Sequence, residues 1–338
     1  MSQVQLVTES EKNLSVDTDP KEKITLKKVI GKLGPLLALV ILIVILTCLS
    51  DKFLTVNNLM NIASQSSINA LMGLGMLLAI LTAGIDLSVG AILAVSIMLM
   101  GIITVNLHMN PFIGMIVCLG VGTLLGWVNG VLLTKLHLPH PFISTLGTQF
   151  IGRGIALIVT AAAPIAGFPA AIQFAGNQFV GPIPVSFLLV IAVYVLFHIF
   201  LTRSKTGRYI YAIGGNKEAA RLSGINVDRV LMIVYSLSGL MAGLAGLVMV
   251  GQVNSAFPLA GLNYETNAIA AVIIGGASFF GGVGTVSGTL IGALVIAVLQ
   301  NGLNLLNVSA DAQLAVIGLV IIAAVYVDVL RQRKSKKN

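Results

Sequence analysis

Long runs of apolar residues without a full charge occupy most of the chain. Three such tracts lie between Asp86 and Lys135, between Arg153 and Arg203, and between Arg229 and Glu265. About 20 apolar residues suffice for a helix to cross the hydrocarbon core, so each tract has room for one or two crossings. Membrane strands would instead alternate over segments of about ten residues, which continuous runs such as LLALVILIVIL exclude. The pattern predicts an all-α integral membrane protein.

About ten transmembrane helices fit the pattern. Their predicted bounds are 33–50, 68–84, 88–105, 112–134, 144–162, 184–202, 230–251, 266–281, 285–306 and 312–330. The domains expected from them are a cytoplasmic N-terminal tail at 1–32, a transmembrane domain at 33–330 with a cytoplasmic loop at 203–229, and a basic tail at 331–338. We expect the amphipathic segment 52–67 to lie at the membrane interface.

Lysine and arginine residues are concentrated on one side of these spans. With the N-terminus inside, they fall in the two tails, at Lys135 and in the loop 203–229, whereas the outside loops hold only Lys52. Basic residues near span ends are retained in the cytoplasm, so both termini are expected there. This topology explains the net charge of +8 without a nucleic-acid partner. The uncharged outside loop Ala163–Ile183 predicts a structured cap or a partly re-entrant segment.

The fourth and ninth spans contain a similar glycine motif. GVGTLLGWVNGVL, residues 120–132, matches GVGTVSGTLIGAL, residues 282–294, at GVGTxxGxxxG and at the final leucine. Five spans separate the copies, so they would cross the bilayer in opposite directions, as inverted repeats of transporters do. We therefore predict an inverted 5+5 repeat, with chance similarity of glycine-rich spans as the alternative. In either case the glycine spacing predicts close helix packing.

Composition and motifs argue against an enzyme. Charged residues make up 9% of the chain, and no paired acids or activated nucleophile are evident. Cys48 and Cys118 lie in apolar spans without metal-binding spacing, and the prolines of HLPHP disfavour a zinc pair between His137 and His140. The chain has no Walker-A sequence. We expect no catalytic residue, metal or cofactor, so a partner subunit must hydrolyse any ATP used.

Polar residues at membrane depth are candidates for lining a translocation path or for holding helices together. They are Asp86, Asn129, Gln149, Arg153 and Asn267. Asp86 precedes the expected start of the third span, where a carboxylate can cap the helix or line a path. Arg153 has no acid near it in sequence, so its guanidinium must reach a carbonyl cluster, an acid on another span or water.

Four ordered motifs resemble those of a known family. They are LTAGIDLSVGAIL (81–93), FISTLGT (142–148), AIGGNKEAARLSGIN (212–226) and AVIIGGASFFGGVGTVSGTLIGAL (271–294). In order and spacing the chain resembles the ribose-type simple-sugar permeases of ATP-binding-cassette importers. The resemblance implies a homodimeric permease in the bacterial inner membrane, with a type II fold like that of the vitamin B12 importers. It also implies cytoplasmic ATPase subunits and an extracytoplasmic sugar-binding protein as partners.

The resemblance further implies a short coupling helix that binds the ATPase. The residues at its positions are Gly215, Asn216, Glu218, Ala219, Ala220 and Gly224. Their chemistry suits a short helix, because Asn216 can cap it, Glu218 favours its first turn and Gly224 can end it. A solvated loop helix without a partner is the alternative.

The function expected is that of the permease subunit of an ATP-driven importer for a neutral monosaccharide, with ribose as the leading cargo. A permease of the same family for another pentose, galactose or a furanose signal is the first alternative. A self-sufficient secondary carrier or channel is the second, although the sequence offers no acidic proton relay within its spans.

Overall fold

The computed structural model describes residues 26–136 and 138–335. Residues 1–34 form one unit and residues 35–338 another, and the packing reported below is that of the second unit. Most of the expected N-terminal tail, His137 and the end of the basic tail therefore lie outside the described residues.

The regular structure is almost entirely helical, which confirms the predicted fold class. The helices are α1 (Leu26–Leu49), α2 (Val56–Leu81), α3 (Val89–Gly101), α4 (Pro111–Lys135), α5 (Pro141–Ile158), α6 (Ala170–Asn177), α7 (Val185–Arg203), α8 (Lys205–Gly215), α9 (Lys217–Leu222), α10 (Val227–Val253), α11 (Tyr264–Ile274), α12 (Val286–Leu305) and α13 (Ala310–Ser335). A π-helical turn, Ile102–Asn106, extends α3. The strands are β1 (Ile165–Ala166), β2 (Phe179–Val180), β3 (Ile183–Pro184) and β4 (Ser255–Ala256).

Six helices in the described part of the chain are long and apolar enough to cross a membrane. They are α2, α3 with its π-helical turn, α4, α7, α10 and α12. Shorter apolar stretches occur in α1, α11 and α13. With α5, which contains Arg153, these helices account for all ten predicted spans, although their bounds differ in places.

Two predicted boundaries were wrong. The second span was predicted to begin at 68, but α2 begins at Val56 and continues unbroken to Leu81. Thr55 caps this start by accepting the N–H of Asn58. The eighth span was predicted to end at 281, but α11 ends at Ile274, since Gly276 takes a positive φ of 89° that turns the chain out of the helix.

Helix packing supports the predicted inverted repeat. Helix α4 packs against α10 as α12 packs against α2, and α3 contacts α4 and α5 as α11 contacts α12 and α13. Corresponding helices are therefore five spans apart. The buried helix α2 lies at the centre, in contact with α7, α10, α11 and α12.

The two glycine motifs do occupy close helix contacts, but not equivalent ones. A side chain at Gly126 of α4 would collide with the carbonyl oxygen of Tyr235 in α10. A side chain at Gly288 of α12, the matching motif position, would instead collide with the carbonyl oxygen of Gly275, directly after α11. The first motif lies inside α4, whereas the second begins at Gly282, ahead of α12. Helix packing therefore supports the repeat, whereas the motif glycines contact helices that do not correspond to each other in it.

The uncharged loop between α5 and α7 has regular structure, as predicted for a cap. Strand β1 pairs with β4 at the end of α10, β2 and β3 form a hairpin, and α6 packs against α10. Asn254, with a left-handed φ of 52°, accepts the N–H of Phe168 through its side chain at 2.9 Å. We call residues 163–184 with β4 the cap.

Candidate functional site

Asp86 lies in the turn between α2 and α3, at the centre of a buried polar cluster. Its Oδ1 accepts the N–H of Ser88 at 3.1 Å and also the Ser88 hydroxyl, and its Oδ2 accepts the Ser238 hydroxyl at 2.7 Å. The Asn129 amide donates to Ser88 Oγ at 2.7 Å. All four side chains are buried. The cluster therefore joins the start of α3 to α4 and α10.

This geometry favours the helix-holding role for two of the sequence candidates. Asp86 and Asn129 are both 0% exposed, and the hydrogen bonds of Asp86 lead only to neighbouring protein groups. The Tyr235 hydroxyl and Asn129 Oδ1 are buried without a hydrogen-bond partner among the described residues. We refer to residues 82–88 as the Asp86 turn.

Arg153 holds the chain segment that precedes α11. Its Nη1 donates to the carbonyl oxygens of Pro258 and Ala260, at 2.7 and 2.8 Å. This is the carbonyl cluster that was one of its expected partners. Backbone carbonyls outside regular structure need such donors wherever water is scarce.

Helix α11 is too short to cross a bilayer alone. Its 11 residues span about 16 Å, roughly half of a hydrocarbon core of about 30 Å. The segment 257–263 connects it to β4 in the cap, and Gly261, at a φ of 68°, packs against Gly90 of α3. A side chain at Gly90 would collide with the Gly261 carbonyl oxygen. Interrupted helices of this kind occur where transporters bind substrate.

Polar side chains gather where α5 meets the start of α11. Gln149 donates to Glu265 Oε1 at 3.3 Å, and Glu265 itself is 8% exposed. We define the α5–α11 patch as Gln149 and Arg153 of α5 together with the accessible polar residues at the start of α11, Asn263, Thr266 and Asn267. Partly exposed polar groups at membrane depth face a wet cavity or another protein chain, because exposure to lipid is costly.

The structure thus separates the five path candidates into two sets. Gln149, Arg153 and Asn267 belong to the α5–α11 patch, whereas Asp86 and Asn129 belong to the buried cluster. Sequence reasoning missed Glu265, because this residue directly precedes the predicted eighth span. It also missed Ser238, since a serine in an apolar helix carries no distinguishing signal.

The expected coupling helix forms as α9. The side chain of Asn216 caps it by accepting the N–H of Ala219 at 2.9 Å, and Gly224 ends the turn beyond it with a φ of 81°. An exposed ion pair of 3.7 Å joins Glu218 to Arg221. The local structure is therefore that predicted for this segment.

Of the six residues expected in the contact with the ATPase, one is not accessible to a partner. Ala220 is 4% exposed and packs within the protein, so it cannot contact an ATPase directly. Gly215, Asn216, Glu218, Ala219 and Gly224 are exposed. Leu222, which was not among the candidates, is 82% exposed. A leucine within the polar sequence NKEAARLSGIN was the available signal for it.

Potential metal ligands do not cluster in the described part of the chain. Nowhere in residues 26–136 and 138–335 do three His, Cys, Asp or Glu residues form a group that could hold an ion. His140 instead caps α5 by accepting the N–H of Phe142 at 3.2 Å. His137 lies outside the described residues, so the pair with His140 is untested.

Comparisons with known proteins agree on one class of protein. The profile of a family described as "Branched-chain amino acid transport system / permease component" matches residues 58–325. The ribose import permease protein of Escherichia coli K12 is 44% identical over 306 residues, 88% of this chain and 93% of the relative. That of Bacillus subtilis 168 is 44% identical over 310 residues, 91% and 96% of the two chains. The D-allose transport system permease protein of Escherichia coli K12 is 46% identical over 304 residues, 88% and 91%. No solved structure matches the chain.

Proposed function

The chain belongs to the ribose-type sugar permeases of ATP-binding-cassette importers, and we propose that it carries a neutral monosaccharide, ribose foremost, into a bacterial cell. The observation that carries the proposal is the 44% identity, over most of the chain, with ribose import permeases of two bacterial species. D-Allose is the main alternative cargo, because the D-allose relative is equally similar.

The energy for transport comes from partner subunits. The sequence lacks a Walker-A motif, so the chain has no P-loop with which to bind ATP. Helix α9 supplies a surface for an ATPase, with Glu218 and Ala219 exposed beside the apolar side chain of Leu222. A cytoplasmic α9, and with it cytoplasmic termini, is supported by the basic residues of the loop 203–229.

The sugar passes along the α5–α11 patch, between two copies of this chain. Amide, hydroxyl and guanidinium groups of the patch are donors and acceptors suited to sugar hydroxyls. The outer face of α5 is strongly apolar on either side of these polar groups, with Phe150 71% and Ile158 80% exposed. A second copy covering this face would keep Arg153 out of lipid and leave the sugar a polar route. The binding protein delivers the sugar at the uncharged cap.

Reconstitution tests the proposal. The chain is placed in proteoliposomes with its partner ATPase and supplied with its sugar-binding protein loaded with labelled ribose, D-allose or galactose. Ribose uptake should require the ATPase, ATP and the binding protein together. Sugar movement by the chain alone down a gradient would instead show a carrier or channel, and preferential uptake of D-allose would reassign the cargo. Cross-linking across α5 tests the homodimer.

A further inference from the structure

The end of helix α8 lies directly against the start of the Asp86 turn. A side chain at Gly214 would collide with the carbonyl oxygen of Leu81 and would come within 2.5 Å of the amide nitrogen of Gly282. The Leu81 carbonyl itself accepts the N–H of Gly282 at 3.0 Å. Backbone atoms of α8, α2 and the loop between α11 and α12 therefore meet at one point, which we call the Gly214 junction.

The contact leaves no room for independent movement of its parts. Gly281 and Gly282 have positive φ values of 88° and 71°, a conformation that glycine adopts without strain. A side chain at Gly281 would lie 2.9 Å from the backbone nitrogen of Ala83 and from the carbonyl oxygen of Gly214. Because close-packed groups have low compressibility, a displacement of α8 must move the other two segments.

The far end of the Asp86 turn is held by three other helices. Asp86 accepts the Ser238 hydroxyl of α10 at 2.7 Å, and Asn129 of α4 reaches the turn through Ser88. The Thr145 hydroxyl of α5 lies 3.3 Å from the carbonyl oxygen of Ile85. The turn therefore runs from the Gly214 junction to the helix that carries Arg153.

We propose that Gly214 is a positioning residue that passes movement of the docking helix α9, and of α8 directly before it, to the Asp86 turn and to the adjoining end of α5. A contiguous, close-packed route of this kind is a physical means of coupling two sites. The inference rests on the proposed function, because it requires α9 to bind the ATPase.

The test uses the complete importer in proteoliposomes and measures sugar moved per ATP hydrolysed. Gly214→Ala is compared with Gly120→Ala, a helical glycine of α4 at which an added side chain meets nothing within 4 Å. We expect Gly214→Ala to lower the ratio about tenfold, within the usual range for coupled sites, while hydrolysis stimulated by the loaded binding protein continues. Gly120→Ala should change neither quantity.

A second variant covers the case in which Gly214→Ala no longer retains the ATPase. Ser238→Ala removes one hydrogen bond at the far end of the turn without touching α8 or α9. It should retain the ATPase on purification and still lower the ratio. An unchanged ratio in both variants, or equal losses of hydrolysis and uptake, would overturn the role of Gly214. A wild-type complex that moves no sugar would overturn the proposed function instead.

Discussion

Asp86 and Ser238 stand 152 positions apart in sequence, and their side chains share a buried hydrogen bond of 2.7 Å. The bond joins the turn after α2 to the middle of α10. In a bilayer the lipid chains are as apolar as the helices, so hydrophobic burial contributes little to helix association. Buried hydrogen bonds and close backbone contacts then decide how the helices pack.

The first prediction concerns this carboxylate. Asp86→Ala should lower the unfolding free energy in detergent more than Ser238→Ala, because it removes three hydrogen bonds to one group rather than one. Single hydrogen bonds to charged groups contribute about 1.5–3 kcal/mol. Denaturant unfolding of the purified permease measures both variants. Wild-type stability of Asp86→Ala, combined with lost transport, would return Asp86 to the translocation path.

The second prediction concerns Arg153. Its replacement by alanine leaves the Pro258 and Ala260 carbonyl oxygens without their donor, at about 1–3 kcal/mol for each unsatisfied group. Arg153→Ala should therefore reduce folded yield and uptake together, and Arg153→Lys should restore part of both. Ile151 lies in the same helix and is 63% exposed, so Ile151→Val is the matched control and should behave as wild type. Full activity of Arg153→Ala would refute the anchoring role.

The third prediction uses two adjacent alanines of α9. Ala219 is exposed and Ala220 is 4% exposed, so a tryptophan should act differently at each position. Ala219→Trp should leave folded yield intact and abolish co-purification with the ATPase, whereas Ala220→Trp should reduce the yield of the permease itself. Overpacking of a buried site costs about 1–3 kcal/mol. Equal behaviour of the two variants would show that α9 is not the docking surface.

The fourth prediction concerns the remaining exposed residues of α9. Leu222→Asp and Glu218→Lys should each weaken ATPase binding, the first by removing an apolar contact and the second by reversing a charge. Anchoring apolar residues at protein interfaces contribute about 2 kcal/mol or more, which corresponds to a loss of affinity exceeding tenfold. Titration of the ATPase against the permease in nanodiscs gives the affinity. Wild-type affinity of Leu222→Asp would remove Leu222 from the interface.

The positions of the helices that correspond to the ten predicted spans were predictable, because apolar runs and charge placement are local in sequence. The cap and the capped helix α9 were predictable for the same reason, since proline, glycine and asparagine act on their own neighbourhood. The sequence could not show which polar residues of a helix are buried against another helix. The second span was predicted to begin only at 68, after the amphipathic segment 52–67, yet α2 begins at Val56, and its Asn58 forms a reciprocal amide pair with Asn301 of α12, at 2.9 Å in each direction.

The sequence predicted which polar residues belong to the candidate site, but it could not predict which of them lie together in the structure. Five polar residues were expected at membrane depth, but the separation of Asp86 from Arg153 depends on contacts with α10 and with segment 257–263. Both contacts join parts of the chain about a hundred or more positions apart. Local patterns carry no information on such pairings, which arise only when the helices pack.

The last prediction concerns the packing of α4 on α10. At Gly126 an added side chain would collide with the Tyr235 carbonyl oxygen and lie 3.0 Å from the Gly239 nitrogen. Gly126→Val must therefore push the two helices apart, which also separates Asn129 from the Asp86 turn. We expect a loss of folded permease well beyond that of Gly120→Val, where the side chain enters open space. Fluorescence-detected size exclusion of both variants measures this, and equal yields would show that the small residues of α4 are not needed for close approach.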